Sequence, residues 1–384
     1  MNRRNFLASA CAASLLATRL GAQPAAATMR TRWIVRGSEG FDALSFLSPL
    51  SGDPFYADYY KEEVGAFAAR LPATVMATIK ALKARAKQAN ILLSPFLDLR
   101  FSAGPDATIA DLIASLDAAE RVLRPPLEAS PYWDGEGDWR RFMAEAPAIR
   151  SVLMALREAG FGQFRSAIFA PKAAKRFPLL REKLNRFDVV GEVERFTGRT
   201  LEADVEVVLL EFCKPHGIKV IGQKFLSAID WDDDIVIRTA GHELLHPPVR
   251  MEGEAAKAAL AVLSRDPLLQ RIVKEHDPAF GYNSLEGLFD EDLASALDQL
   301  IAERLGVARD PAERWTEVDG GMHILSAAFY GMMKRDGFAA TGGDLETWLL
   351  RKVAAGGLAP PSLHRAAAEV LKRPADRLWP VDAV

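Results

Sequence analysis

The stretch Gly241-His242-Glu243-Leu244-Leu245-His246 carries the pattern His-Glu-x-x-His. Residues four apart on a helix lie one above the other on one face. His242 and His246 can therefore turn two imidazoles toward one zinc ion, with Glu243 beside them to act on a water held there. At average residue frequencies the pattern arises by accident in about one chain in a hundred of this length, so its surroundings decide. Upstream, Asp232-Asp233-Asp234 offers N-cap oxygens and negative charge where a helix start favours both. Ile235 to Ala240 then runs directly into the motif. Downstream, Pro247-Pro248 cannot continue the hydrogen-bond ladder. These flanks predict a helix of about three turns with the motif in its last turns. Two residues qualify that expectation. His246 precedes a proline and is biased away from helical geometry. Gly241 costs the helix about 1 kcal/mol against alanine, and its missing side chain leaves room for a neighbouring segment to come close.

Just before this helix, Val205 to Phe212 has β character, Lys214-Pro215-His216-Gly217 reads as a turn, and Ile218 to Gly222 reads as the returning strand of a hairpin. Most of the remaining chain reads as helical. Helices are expected over Tyr59 to Arg85 with a break near Leu71-Pro72, over Ile109 to Leu123, Asp138 to Ala159 and Phe177 to Thr197. After the motif they are expected over Ala255 to Ser264, Pro267 to His276, Ser284 to Leu305 and Leu345 to Ala355. Trp33-Ile34-Val35 is a short strand candidate, Asn90 to Leu97 a short buried segment or strand, and Arg124 to Gly137 a surface loop. The expected fold class is α+β, predominantly α-helical, with a helical N-terminal region over 28–200 and a catalytic region over 201–384.

The chain has 384 residues, 49% hydrophobic and 26% charged, with a formal net charge of −3. That composition is globular and supplies no basic surface for nucleic acid. Outside the N-terminus no apolar run is long enough to span a membrane. Met1-Asn2-Arg3-Arg4-Asn5-Phe6-Leu7 resembles the twin-arginine export signal. An Ala-rich stretch, Ala8 to Ala17, follows it. Ala25-Ala26-Ala27 offers a small-residue cleavage site, with Leu20-Gly21-Ala22 as the rival. The resemblance implies that residues 1–27 are removed after Ala27, that the mature protein is periplasmic or secreted, and that the twin-arginine export machinery carries it already folded. Of the two cysteines, Cys11 lies in the signal and Cys213 in the mature chain, which excludes an intramolecular disulfide.

The motif helix, with two strands before it and helices after it, resembles the zincin metallopeptidases. In those folds a small sheet precedes the motif helix, and its edge strand takes up extended substrate by strand addition. The resemblance does not extend to the N-terminal helical half. A catalytic zinc takes three protein ligands and keeps an open position. The metzincin arrangement would place Gly at 249 and His at 252; Val249 and Glu252 stand there instead. That leaves the gluzincin pattern, in which a glutamate from a later helix is the third ligand. Glu291, in Glu291-Asp292-Leu293-Ala294-Ser295, is worded like such a ligand helix. Glu286 with Asp290 forms the rival Glu-x-x-x-Asp, and falls on one stripe with Leu293, Leu297 and Leu300; Asp290 could equally cap a helix beginning there. We assign Glu291 on the resemblance, leaving Glu286 as the alternative. Asp298 is a candidate support for the site. Tyr282, His323 and Tyr330 are candidates for stabilising an oxyanion. His216, in a turn, is expected to be exposed, and His276 and His364 show no partner in the sequence. The function implied is a Zn2+-dependent metallopeptidase, using Glu243 as general base on a peptide or protein substrate. The reading from another class is a non-catalytic periplasmic binding protein with a coincidental or degenerate motif; the intact Glu243 argues against degeneration.

Overall fold

The structure, a computed structural model, describes residues 29–380 apart from 90, 278, 279 and 281. The expected export signal and Cys11 lie outside the described residues. Strand β1 (Arg32–Gly37) opens the fold. It is followed by helices α1 (Glu39–Leu50), α2 (Pro54–Ala68), α3 (Ala73–Gln88), α4 (Leu93–Phe101), α5 (Ile109–Asp117), α6 (Ala119–Val122), α7 (Arg124–Glu128), α8 (Glu136–Glu158), α9 (Phe161–Leu184) and α10 (Val189–Thr197). Strands β2 (Asp204–Leu210), β3 (Ile218–Lys219) and β4 (Lys224–Ala228) lead into α11 (Asp233–Glu243). The remainder is helical: α12 (Glu254–Leu263), α13 (Pro267–Glu275), α14 (Leu285–Leu305), α15 (Pro311–Glu317), α16 (Ile324–Arg335), α17 (Phe338–Thr341), α18 (Leu345–Ala354) and α19 (Pro360–Leu371). The protein is thus α+β and predominantly helical, with a small mixed sheet of four strands among the described residues.

The sheet order is β1-β2-β4-β3. β1 and β4 run parallel to β2 on either side of it, with Val35 opposite Val207 and Val208 opposite Leu226. β3 pairs antiparallel to the outer edge of β4, with Lys219 opposite Phe225. In β2, Val207, Val208, Leu209 and Leu210 are all buried, as befits a central strand covered on both faces. One face of the sheet (Val35, Val207, Leu209, Phe225) packs on α10, α11, α14 and the later helices. The other (Val208, Leu210, Leu226, Ala228) packs on α1 to α8. α9 crosses from one core to the other, burying Phe161 in the second and Leu180 and Leu184 in the first.

Four expectations from the sequence need correction. The hairpin does not join β2 to the 218–222 segment. β3 hydrogen-bonds β4, and the turn between them holds Gly222 at φ +76°. Lys214 to Gly217 instead carries the chain across the sheet end, so that β4 returns parallel to β2, a direction no tight turn can produce. The strand alternative for the stretch 90–97 does not hold over its described residues, 91–97. Helix α4 begins at Leu93, where Pro95 falls in the first turn and its missing N–H costs nothing, and Leu93, Leu97 and Phe101 share its buried face. The helix expected over Phe177 to Thr197 is two helices, α10 restarting where Asp188 caps the N–H of Gly191. The loop expected over Arg124 to Gly137 contains α7.

Candidate metal centre

α11 is held at its start by charge. Asp233 pairs with Arg176 and Lys183, and Asp234 with Lys183, tying the first turn to α9. The helix packs on α14, with Gly241 against Ile301; a Cβ at 241 would stand 3.4 Å from Ile301 Cγ2. The α-helix ends at Glu243, a turn earlier than the motif's spacing suggested, and the N–H of Leu245 bonds the carbonyl of His242. His246 lies beyond the helix, consistent with the proline that follows it. The carbonyls around it are not left bare: the Arg199 guanidinium donates to Leu245 O at 3.0 Å and to Pro247 O at 2.7 Å.

α14 is buried along almost its whole length, from Leu288 to Ala302. It brings Glu291 to the two histidines. His242 Nε2 and His246 Nε2 lie 3.0 Å apart, and the Glu291 carboxylate lies 3.4 Å from the first and 3.6 Å from the second. A tetrahedral ion with bonds of about 2.0–2.1 Å holds its ligand atoms about 3.3 Å apart, so these three separations suit one small divalent ion. The protonation pattern agrees. His242 Nδ1 faces Asp298 Oδ2 at 2.7 Å and His246 Nδ1 faces Asp290 Oδ2 at 3.1 Å. A carboxylate on Nδ1 sets the Nδ1–H tautomer. In the neutral Nδ1–H forms both Nε2 atoms turn lone pairs toward each other and toward a carboxylate, so the cluster takes a cation: a metal ion or, without one, a proton on His242 facing Glu291. His242, His246 and Glu291 could hold a metal ion.

The electrostatics follow from this crowding. Burial works against ionising His242, yet Glu291 and Asp298 outweigh it and raise its pKa well above the usual imidazole value. Glu291 is held well below the ordinary carboxylate range despite burial, because His242 and His246 face it. Glu243 is 9% exposed. Burial raises its pKa, with His242, His246 and Lys219 pulling the other way. Asp298 is further fixed by Arg314, whose Nη2 lies 2.9 Å from Oδ2.

The other residues singled out from sequence divide clearly. Glu286 is exposed in the first turn of α14 and is not part of the metal cluster; its partner in that reading, Asp290, supports His246. Tyr282 lines the cleft beside Glu291, in left-handed backbone at φ +57°. Burial pushes its pKa well up, and the Glu291 charge adds to the shift. His323 is buried and bonded on both nitrogens, to Asp292 at 2.5 Å and Asp319 at 3.0 Å, and its ring centroid lies 5.8 Å from that of Tyr282. Tyr330 donates to Glu303 and packs on Trp315. His216 is not exposed: its Nε2 lies 2.9 Å from the Tyr56 hydroxyl, and burial lowers its pKa to about 4. His276 Nδ1 bonds Ile272 O and His364 bonds Asp266.

The metal cluster sits in a cleft of ≈ 650 Å³. One side is β3, with Lys219 and the turn before it. Another part of the wall comes from the N-terminal helices, through Pro95, Phe96 and Leu99 of α4 and Arg141 of α8. Burial lowers the Lys219 pKa to about 8, with Glu243 opposing the shift. Neither Lys219, Arg199 nor the α4 wall carried a motif that could have marked it in advance. No protein-family model matches the chain, and no curated protein or solved structure is significantly similar to it. Among the described residues no helix is long and apolar enough to cross a membrane.

Proposed function

We propose that the protein is a zinc-dependent peptide-bond hydrolase of the zincin type, exported by the twin-arginine route that residues 1–27 suggest. The observation that carries the reading is the convergence of His242, His246 and Glu291 on one point, each histidine backed by its own aspartate, with Glu243 at the same cleft. His242, His246 and Glu291 would hold the zinc, which would supply Lewis acidity to a water and to the scissile carbonyl. Glu243 takes the proton from that water and passes it to the departing amine. Its burial raises its basicity, and a general base works best with a pKa drawn toward the working pH. The Tyr282 hydroxyl, alone of the three candidates facing the cleft, donates to the carbonyl oxygen as negative charge develops there. The outer side of β3, at the sheet edge, receives the peptide backbone by strand addition.

Elemental analysis of the purified protein should find one zinc per chain, and the zinc-loaded protein should hydrolyse an unstructured protein substrate in a chelator-sensitive way. Glu243→Gln should keep the zinc and lose hydrolysis. Protein without stoichiometric metal, or turnover retained in Glu243→Gln, rejects the reading.

A further inference from the structure

The cleft does not end at the metal cluster. Between α3, α4 and α8 lies a second hollow of ≈ 340 Å³, and Ala89, Ile91, Phe96 and Arg141 line both spaces. Its floor is apolar and firmly packed: Leu82, Leu97 and Ile149 are each buried to 3% exposure or less. The Arg85–Glu145 ion pair, at 2.6 Å, ties α3 to α8 beside it. Phe96 forms a wall with one ring face already covered by the Arg100 guanidinium at 3.7 Å. α4 is thus apolar on two sides. Leu93, Leu97 and Phe101 face the core, while Pro95, Phe96 and Leu99 face the cleft, and Leu92 before them is 44% exposed. A helix that serves only as scaffold turns polar residues outward. An apolar recess opening into a polar cleft marks a binding site.

We propose that this recess is the specificity subsite of the metal cleft, and that it takes one large apolar side chain, aromatic or long aliphatic, of an extended peptide. The proposal rests on the peptidase reading, which supplies the occupant. The recess has room for one such side chain, and its continuity with the cleft through four shared residues leads a peptide from the metal into it. The N-terminal helices would then select the substrate, while the C-terminal half supplies the chemistry.

The test is binding, measured by fluorescence anisotropy on zinc-loaded Glu243→Gln protein. The probes are labelled octapeptides of small residues in which a single Phe, Ala or Asp is walked through each position. At one position Phe should bind at least about tenfold tighter than Ala, the discrimination typical of an apolar pocket, and Asp no tighter than Ala. Ala89 is exposed at the shared mouth, so Ala89→Trp should fold and should cut the Phe/Ala ratio to within about threefold, leaving metal content unchanged. Ala86→Leu, which fills the recess from α3, should do the same. Absence of a Phe preference at every position, a preference that survives both variants, or no peptide binding at all overturns the subsite. Hydrolysis by the unmutated protein reports separately. Cleavage without side-chain preference removes the subsite and keeps the peptidase; preference in binding without cleavage removes the peptidase and keeps the subsite.

Discussion

Replacing Asp298 by asparagine probes the metal centre through a residue that touches no substrate. Asp298 accepts the Nδ1–H of His242 at 2.7 Å and pairs with Arg314 through both oxygens, with its side chain only 4% exposed. The amide preserves shape and one acceptor but removes the charge, and two consequences follow. The first falls on the metal. His242 loses the anionic partner that raises the basicity of Nε2, and supports of this kind are worth about 10- to 100-fold in metal affinity, or about 1.4–2.7 kcal/mol. The second falls on the fold. Arg314 is left without its counter-charge; breaking a buried pair costs about 3–5 kcal/mol, of which the amide recovers one neutral bond of about 1 kcal/mol. The metal-free variant should therefore unfold at about 2–4 kcal/mol lower free energy. Asp290 calibrates the comparison. It lies 3.1 Å from His246 Nδ1, is 28% exposed, and among the described residues is paired with no arginine. Asp290→Asn should weaken zinc binding by about tenfold while changing unfolding free energy by about 1 kcal/mol or less. Competition against a chromogenic zinc chelator gives the affinities, and urea unfolding of the metal-free proteins gives the stabilities. If Asp298→Asn binds zinc within about twofold of the unmutated protein, His242 is not a ligand held by this carboxylate, and the reasoning fails.

Three further outcomes are expected. Glu291→Gln should lower zinc affinity by at least about 100-fold, while Glu286→Gln, altering an exposed side chain outside the cluster, should leave it unchanged; the same chelator competition decides, and equal losses would reopen the choice of third ligand. Tyr282→Phe should lower kcat by about 10²- to 10³-fold with KM little altered, the signature of a donor used mainly at the transition state, and a loss confined to KM would place Tyr282 in ground-state binding. In the N-terminal core, burial raises Asp42 to about 6, against the pull of Arg165 and the N–H groups of Phe212 and Glu211. The folded state then holds this proton more tightly than the unfolded chain, so the group's contribution to stability is complete below its ordinary value of 3.8 and lost above about 6. The stability of the unmutated protein relative to Asp42→Asn should accordingly fall by about 3 kcal/mol between about pH 4 and pH 7; a flat difference in urea unfolding across that range would contradict it.

How much of this could be read in advance depended on whether a feature has a local cause. Helix boundaries set by a cap or a proline were legible at the break at Leu71-Pro72 and at the start of α14 at Ser284, whereas α11 stops at Glu243, inside the motif and short of the prolines. The sheet was less so, because a parallel partner is chosen by tertiary packing. β4, Lys-Phe-Leu-Ser-Ala, is too short to announce itself, and the turn at Lys214 to Gly217 resembled a hairpin while serving as a crossing. On α14 the difficulty was physical. A stripe argument separates faces only when one face is wet, and this helix is buried nearly all round. The stripe of Leu293, Leu297 and Leu300 is indeed buried, but so are the residues between them, so it pointed at Glu286 without excluding Glu291.

The motif itself conceals an asymmetry between its histidines. His242 is carried by α11, and its imidazole is steadied by Asp298, which the half-buried Arg314 holds in turn. His246 has left the helix, so backbone hydrogen bonding within α11 no longer sets its position. That work passes to Arg199, which grips the carbonyls on either side of it, and to Asp290, one residue before the proposed ligand Glu291. Arg199 follows α10, and Asp290 lies on α14. The second histidine is therefore placed by segments that come together only when the chain has folded, whereas the first is placed largely by its own helix. An identical His-Glu-x-x-His written into a longer helix would not need Arg199. Here the proline after His246 creates that need, which is why the supporting residues lie so far from the motif in sequence.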